Sequence, residues 1–293
     1  MSGLHARRYG PTIPARTLRV LAADGCVLNV HVLREAKSDS VLPMVFIHAL
    51  AMEGNMWQGV ADALDNLSPQ LHSAMYAIDC RGHGASDASD KSFTTTEFAT
   101  DLSRVLNAVN ASRAHLIGCS MGGTVALAFA GRFPLRVASL TVIDATAWYG
   151  PDAPANWENR ASAALNVGMT SLVEFQLARW FSPNFLAEQP ELVRQSVDIF
   201  VANRVSEYAK SCRMLGHADE RAALAAYTGP AAIVVGEEDY ATPLTMAQDI
   251  AARLSGATLT VIPGTRHYTP LEAPRLVAAC IADVINRAEA LTT

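Results

Sequence analysis

The chain has 293 residues, half of them apolar and 17% charged, with a mean hydropathy of +0.16, so it carries enough apolar surface to offset ordering entropy and is no disordered or low-complexity polymer. A net charge of −5 and a pI near 5.9 leave no basic footprint for a nucleic-acid backbone. Five scattered cysteines without a C-x-x-C pair give neither a disulfide framework nor a zinc site, and point to a reducing compartment.

Residues 1–15 carry Arg7, Arg8, Pro11 and Pro14 but no apolar run, so 1–16 reads as a tail and not a signal peptide. No uncharged apolar stretch approaches the roughly 18 residues that span a bilayer. The longest candidate, 41–52, is broken by Pro43 and His48. The expectation is a cytoplasmic protein with no membrane or nucleic-acid partner, no cofactor and no metal.

Residues 17–22 and 26–34 flank Ala23-Asp24-Gly25, a hairpin signal. Short apolar runs follow at 44–48, 74–79, 115–118 and 140–144, each a helix length from the next, and two more at 231–235 and 258–262 with a helix expected over 244–254. Such runs alternating with helices indicate a parallel sheet covered on both faces. Between 146 and 227 the strand rhythm stops. That stretch has helical periodicity, Trp148, Trp157 and Trp180, and breakers at Pro151, Pro154, Pro183 and Pro190. It reads as a helical cap (146–227) inserted after the sixth strand of a core formed by 17–145 and 228–293.

Gly118-Cys119-Ser120-Met121-Gly122 is a G-x-S-x-G motif between a strand at 115–117 and an apolar helix at 124–131. That strand–turn–helix context is what a nucleophile elbow requires, with glycines letting the backbone pass a tight turn. A serine hydroxyl needs a base, usually a histidine oriented by a carboxylate. His267 follows the last strand and Asp239 follows the strand at 231–235, so both lie beyond the carboxyl ends of parallel strands. Asp144 is the rival acid, with Glu237 and Glu238 weaker. The oxyanion donors are expected from the backbone of Met121 and of the 48–51 loop, Leu50 first and Ala49 next. Asp79 and His83, in the turn 79–86, are a less favoured second acid/base pair that instead orders the loop beside the site. Cys119 reads as a small buried filler of the elbow.

These residues make the chain resemble an α/β-hydrolase from Leu18 to about Arg287. The likeness runs through HALAMEGNMW from His48, DCRGHGASD from Asp79, GCSMGG from Gly118, GEEDYATP from Gly236 and PGTRHYTPLEAP from Pro263, with the triad in the order Ser120, Asp239, His267. The chain is most similar to 3-oxoadipate enol-lactonases, through Asn55-Met56-Trp57, Ala145-Thr146-Ala147-Trp148 to Gly150-Pro151, Arg179-Trp180-Phe181, and Asn203-Arg204 followed by Tyr208 and Cys212. It departs from them at His48-Ala49, where Asn-Ser is commoner. The resemblance implies a mostly parallel eight-stranded sheet with helices on both faces. It also implies an acyl-enzyme on Ser120 with His267 as base and Asp239 in support, acting on a small ester or lactone.

Trp148, Trp180 and Arg204 are the expected substrate-binding residues of the cap. Arg160 and Arg179 stay open beside Arg204 as guanidiniums for a substrate carboxylate, ahead of Arg194 and Arg213. A C–C bond hydrolase on the same triad and a non-catalytic ligand-binding relative are the other readings.

Overall fold

Gly25, at φ +91°, reverses the chain, and β1 (Thr17–Leu21) pairs antiparallel with β2 (Val27–Arg34), Leu21 opposite Val27. The computed structural model describes residues 16–36, 41–67 and 73–291. The expected tail, 1–16, lies outside the described residues except for Arg16.

From there the pattern changes to buried strands: β3 (Met44–Ile47), β4 (Met75–Ile78), β5 (Ala114–Cys119), β6 (Val137–Ile143) and β7 (Ala231–Gly236). They read as continuous apolar runs because both faces are covered, leaving no solvent side to alternate with. β8 (Thr258–Ile262) is the edge, and its Leu259 and Val261 stay exposed. The sheet order is β1-β2-β4-β3-β5-β6-β7-β8, with β2 antiparallel to both neighbours and the others parallel. The chain goes from β3 out to β4 and returns past β3 to β5. A crevice therefore opens at the carboxyl ends of β3 and β5, where open α/β sheets bind ligands.

Helices α1 (Gln58–Leu67), α2 (Thr95–Ala108) and α3 (Met121–Arg132) join the first parallel strands. Between β6 and β7 run α4 (Ala153–Val167), α5 (Val173–Trp180), α6 (Pro183–Glu188), α7 (Pro190–Val201) and α8 (Val205–Gly216). Pro154, Pro183 and Pro190, which read as breakers, stand in the first turns of α4, α6 and α7, where a missing N–H costs nothing. α4 packs along α8. The chain ends with α9 (Leu244–Arg253), α10 (Thr269–Glu272) and α11 (Pro274–Ala290). No helix among the described residues is long and apolar enough to cross a membrane.

Asp79, just past β4, ties the front of the sheet together. One carboxylate oxygen meets His31 Nε2 at 2.9 Å and accepts from Gly54 N–H at 2.7 Å. The other accepts from Asn29 Nδ2 and Ala85 N–H at 2.9 and 3.0 Å. The Asp79–His83 pair does not form, because His83 Nδ1 faces the Arg81 carbonyl at 3.1 Å.

Burial pushes Asp79 up, but the His31 bond and charge outweigh it and hold the carboxyl down at about 2. With an unfolded value near 3.9, this shift corresponds to roughly 2–3 kcal/mol of stability at neutral pH. Because the folded value is the lower one, the contribution is full above about pH 5 and is lost as pH falls toward about 2. Urea unfolding of wild type and Asp79→Asn across that range should show the two curves converging in acid.

Candidate active site

The elbow is built by close approach. A side chain at Gly118 would strike the Gly122 backbone, and one at Gly122 would strike the carbonyls of Ile47 and His48, so β5, α3 and β3 close on one another only with glycine there. Ser120 sits between β5 and α3 at φ +53°, ψ −117°, a costly conformation for a non-glycine residue. Its N–H donates to the Ile143 carbonyl at 2.9 Å and its carbonyl accepts from Thr124 N–H at 3.0 Å, which pin the turn from both sides. α3 begins directly at Met121, three residues before the expected helix, so its positive end lies under the serine.

Ser120 Oγ and His267 Nε2 are 2.8 Å apart, and His267 Nδ1 and Asp239 Oδ2 are 2.9 Å apart. All three residues are buried. The carboxylate at Nδ1 fixes a proton there and leaves Nε2 to accept from the serine. Asp239 is itself held: Oδ1 accepts from Ala241 and Thr242 N–H at 2.7 and 2.9 Å, and Oδ2 from Thr242 Oγ1 at 2.8 Å. Burial pushes its carboxyl up, but the His267 ring and the Thr242 bonds outweigh that and hold it below the usual range.

The rival acids are occupied elsewhere. Asp144 accepts from Gly236 N–H at 3.0 Å and from Thr269 N–H and Oγ1 at 3.0 and 2.8 Å, and burial followed by the charge of Asp239 pushes it well above the usual range. Glu237 accepts from Gly264 N–H at 3.0 Å, and Glu238 lies 3.4 Å from Arg266 Nε.

The loop after β3 faces Ser120 because Ile47 pairs with Gly118. His48 Nδ1 meets the Ala49 carbonyl at 2.7 Å, while its Nε2 accepts from Cys80 N–H at 2.9 Å. The planar trans peptide that turns the Ala49 carbonyl toward His48 turns the Leu50 N–H the opposite way. Ala49 N–H lies 3.5 Å from Met56 Sδ, whereas the N–H groups of Leu50 and Met121 have no acceptor among the described residues. Asn203 Nδ2 reaches across from the end of α7 to the Ala51 carbonyl at 2.9 Å, where Ala51 sits at φ +61°. This contact, which the sequence did not reveal, steadies the loop.

A cavity of about 510 Å³ opens beside this constellation, lined by Leu50, Ser120 and His267 and, from the inserted helices, by Trp157, Arg160 and Trp180. Trp180 lies there and stacks on Tyr268 with centroids 5.0 Å apart. Trp148 does not line it. Its backbone bridges Asp219 and its ring lies 3.7 Å under the Arg221 guanidinium, so it joins the start of the insertion to its end. Arg204 does not line it either. It precedes α8 and donates to the Ser86 carbonyl at 3.2 and 3.3 Å, beside a separate cavity of about 380 Å³. Tyr149 and Thr242, also in the wall, were missed. Thr242 had a signal in sequence, standing three residues after an acid in a strand-end loop, where such a hydroxyl folds back onto the carboxylate.

A mostly parallel sheet with a serine on a strained strand-to-helix turn defines an α/β protein of the hydrolase architecture. Residues 43–274 match the alpha/beta hydrolase fold family, and the chain belongs to it. Among its relatives, 3-oxoadipate enol-lactonase 1 of Acinetobacter baylyi is 30% identical over 231 residues, covering 79% of this chain and 84% of that protein. The same organism's 3-oxoadipate enol-lactonase 2 is 26% identical over 267 residues, 91% of this chain and 96% of that one. The solved enol-lactonase of Burkholderia xenovorans LB400 shares the fold at a TM-score of 0.84 and 24% identity, over 92% of this chain and all of its own.

Proposed function

We propose that this protein is a serine hydrolase that opens a lactone or cleaves a short carboxylic ester through an acyl-enzyme. The observation that carries the reading is the unbroken line Ser120–His267–Asp239, with links of 2.8 and 2.9 Å, at the wall of a cavity large enough for a small substrate. Ser120 Oγ attacks the carbonyl carbon as its proton passes to His267 Nε2, and the carbonyl π electrons move to oxygen. The N–H groups of Leu50 and Met121, uncommitted to other acceptors among the described residues, hold that oxyanion. On collapse the C–O bond to the leaving alcohol breaks and His267 returns its proton to that oxygen. Water, deprotonated by the same imidazole, then attacks the acyl carbon, and Ser120 leaves as the hydroxyl.

Segment 146–227 acts as a cap that selects the acyl and alcohol groups. The names of the two Acinetobacter relatives support 3-oxoadipate enol-lactone as the specific lactone to examine first. The five unpaired thiols support a cytoplasmic setting.

The test is a panel of short esters and lactones, that enol-lactone and 4-nitrophenyl acetate included, with a β-diketone for comparison. Ser120-dependent turnover of an ester or lactone, with a burst of nitrophenolate, supports the reading. Faster turnover of the diketone, or no Ser120-dependent hydrolysis anywhere in the panel, contradicts it.

A further inference from the structure

Two guanidinium groups, Arg160 of α4 and Arg179 of α5, line the cavity that contains Ser120 and His267, and among the described residues no Asp or Glu lines it. Both arginines bond only neutral oxygens: Arg160 Nε donates to Tyr208 Oη at 2.6 Å, and Arg179 Nη2 to the Tyr240 carbonyl at 3.0 Å. Both Nη atoms of Arg160, and Nε and Nη1 of Arg179, have no acceptor among the described residues. Three of the insertion's other arginines differ, while Arg204 meets the Ser86 carbonyl. Arg194 pairs with Glu191 and Asp198, Arg213 with Glu158, and Arg221 with Asp219.

The other close contacts of Arg160 and Arg179 among the described residues are aromatic faces. Arg160 lies 4.9 Å from the Trp157 centroid and 5.8 Å from that of Tyr208, and Arg179 lies 5.0 Å from that of Phe175. A ring quadrupole offsets part of a cation's lost hydration but does not neutralise it. The two charges also oppose each other: burial and then the charge of Arg160 push Arg179 below the usual arginine value, against a smaller pull from Asp239. Two like charges in one half-buried cavity, with no ion pair to either among the described residues, form a site that is incomplete until an anion enters. A carboxylate fits the donors, since a guanidinium offers paired N–H groups spaced for its two oxygens.

We infer that the cavity holds a carboxylate of its substrate on Arg160 and Arg179, so that the enzyme takes carboxylate-bearing esters or lactones in preference to neutral ones. This rests on reading the Ser120 cavity as the substrate site. The charge adds direction, because it anchors the end of the molecule remote from the bond to be broken and turns the acyl carbon toward Ser120.

The test compares monoethyl glutarate with ethyl pentanoate, which differ by a carboxylate in place of a terminal methyl. Wild type should favour the charged ester in kcat/KM by at least about tenfold. Arg160→Gln and Arg179→Gln should each lower that ratio by about 10- to 100-fold, chiefly through KM. Arg179→Gln covers the case that Arg160→Gln fails to fold without its bond to Tyr208. A wild-type ratio at or below one, or a ratio unmoved in the folded variants, overturns the inference and leaves the hydrolase reading standing.

Should neither ester be hydrolysed, the hydrolase reading still rests on the wider panel of esters and lactones. Calorimetric titration of glutarate into Ser120→Ala then decides the present inference. Binding weakened at least about tenfold by Arg179→Gln supports it, and absence of binding overturns it.

Discussion

Ser120→Ala is expected to lower kcat on the preferred ester or lactone by at least about 10⁴-fold while leaving KM within about threefold. The substitution removes one oxygen, the atom 2.8 Å from His267 Nε2, and changes little else. The backbone at residue 120 keeps its bonds to Ile143 and Thr124, so the turn at φ +53° persists with an alanine. Melting temperature should therefore stay within a few degrees of wild type, which separates a chemical loss from a folding one. On the proposed mechanism the residual rate belongs to the Leu50 and Met121 donors and to binding, which an alanine at 120 leaves in place. Stopped-flow and steady-state assays on the purified variant measure both quantities.

Asp239→Asn is expected to lower kcat by about 10³- to 10⁴-fold with the fold intact. The carboxylate accepts from His267 Nδ1 at 2.9 Å while Thr242 and Ala241 hold it in place from behind. An asparagine whose oxygen keeps the Ala241 and Thr242 N–H bonds turns its NH₂ toward Nδ1, and the imidazole must then carry its proton on Nε2. In that tautomer it has no lone pair for the serine proton. Asp144→Asn provides the contrast. Asp144 touches Gly236 and Thr269 and makes no bond to His267, so its loss should appear in thermal stability, with kcat staying within about tenfold.

The division between what could be read from the sequence and what could not has physical reasons. Ser120, Asp239 and His267 were legible because each is tied to the end of a parallel strand, and strands announce themselves as short apolar runs. A parallel sheet then brings all such ends to one rim. The same holds for the 48–51 loop, fixed beside the serine by the pairing of Ile47 with Gly118.

The insertion gave no such anchor. Which side of α4 faces the cavity depends on its packing along α8, and its buried positions are alanines, Ala153, Ala161 and Ala164, too small to mark a face. Arg160 was therefore one open choice among several. Trp148 looked like a pocket wall because large aromatics often are. Its contact with Arg221 joins residues 73 positions apart, which no local pattern encodes. Arg204 sat in a segment that resembles the lactonases, but the resemblance carries no direction for its side chain, which turns to Ser86.

The most direct measurement of the central claim is covalent labelling by a 4-nitrophenyl alkylphosphonate, which reacts with a serine only when a neighbouring base activates it. Labelled wild type and His267→Ala are digested and the modified peptide is located by mass spectrometry. The account expects one adduct per chain, on Ser120, with labelling slowed by at least about 10³-fold in His267→Ala. Equal labelling of both proteins, or an adduct on any other residue, would contradict it.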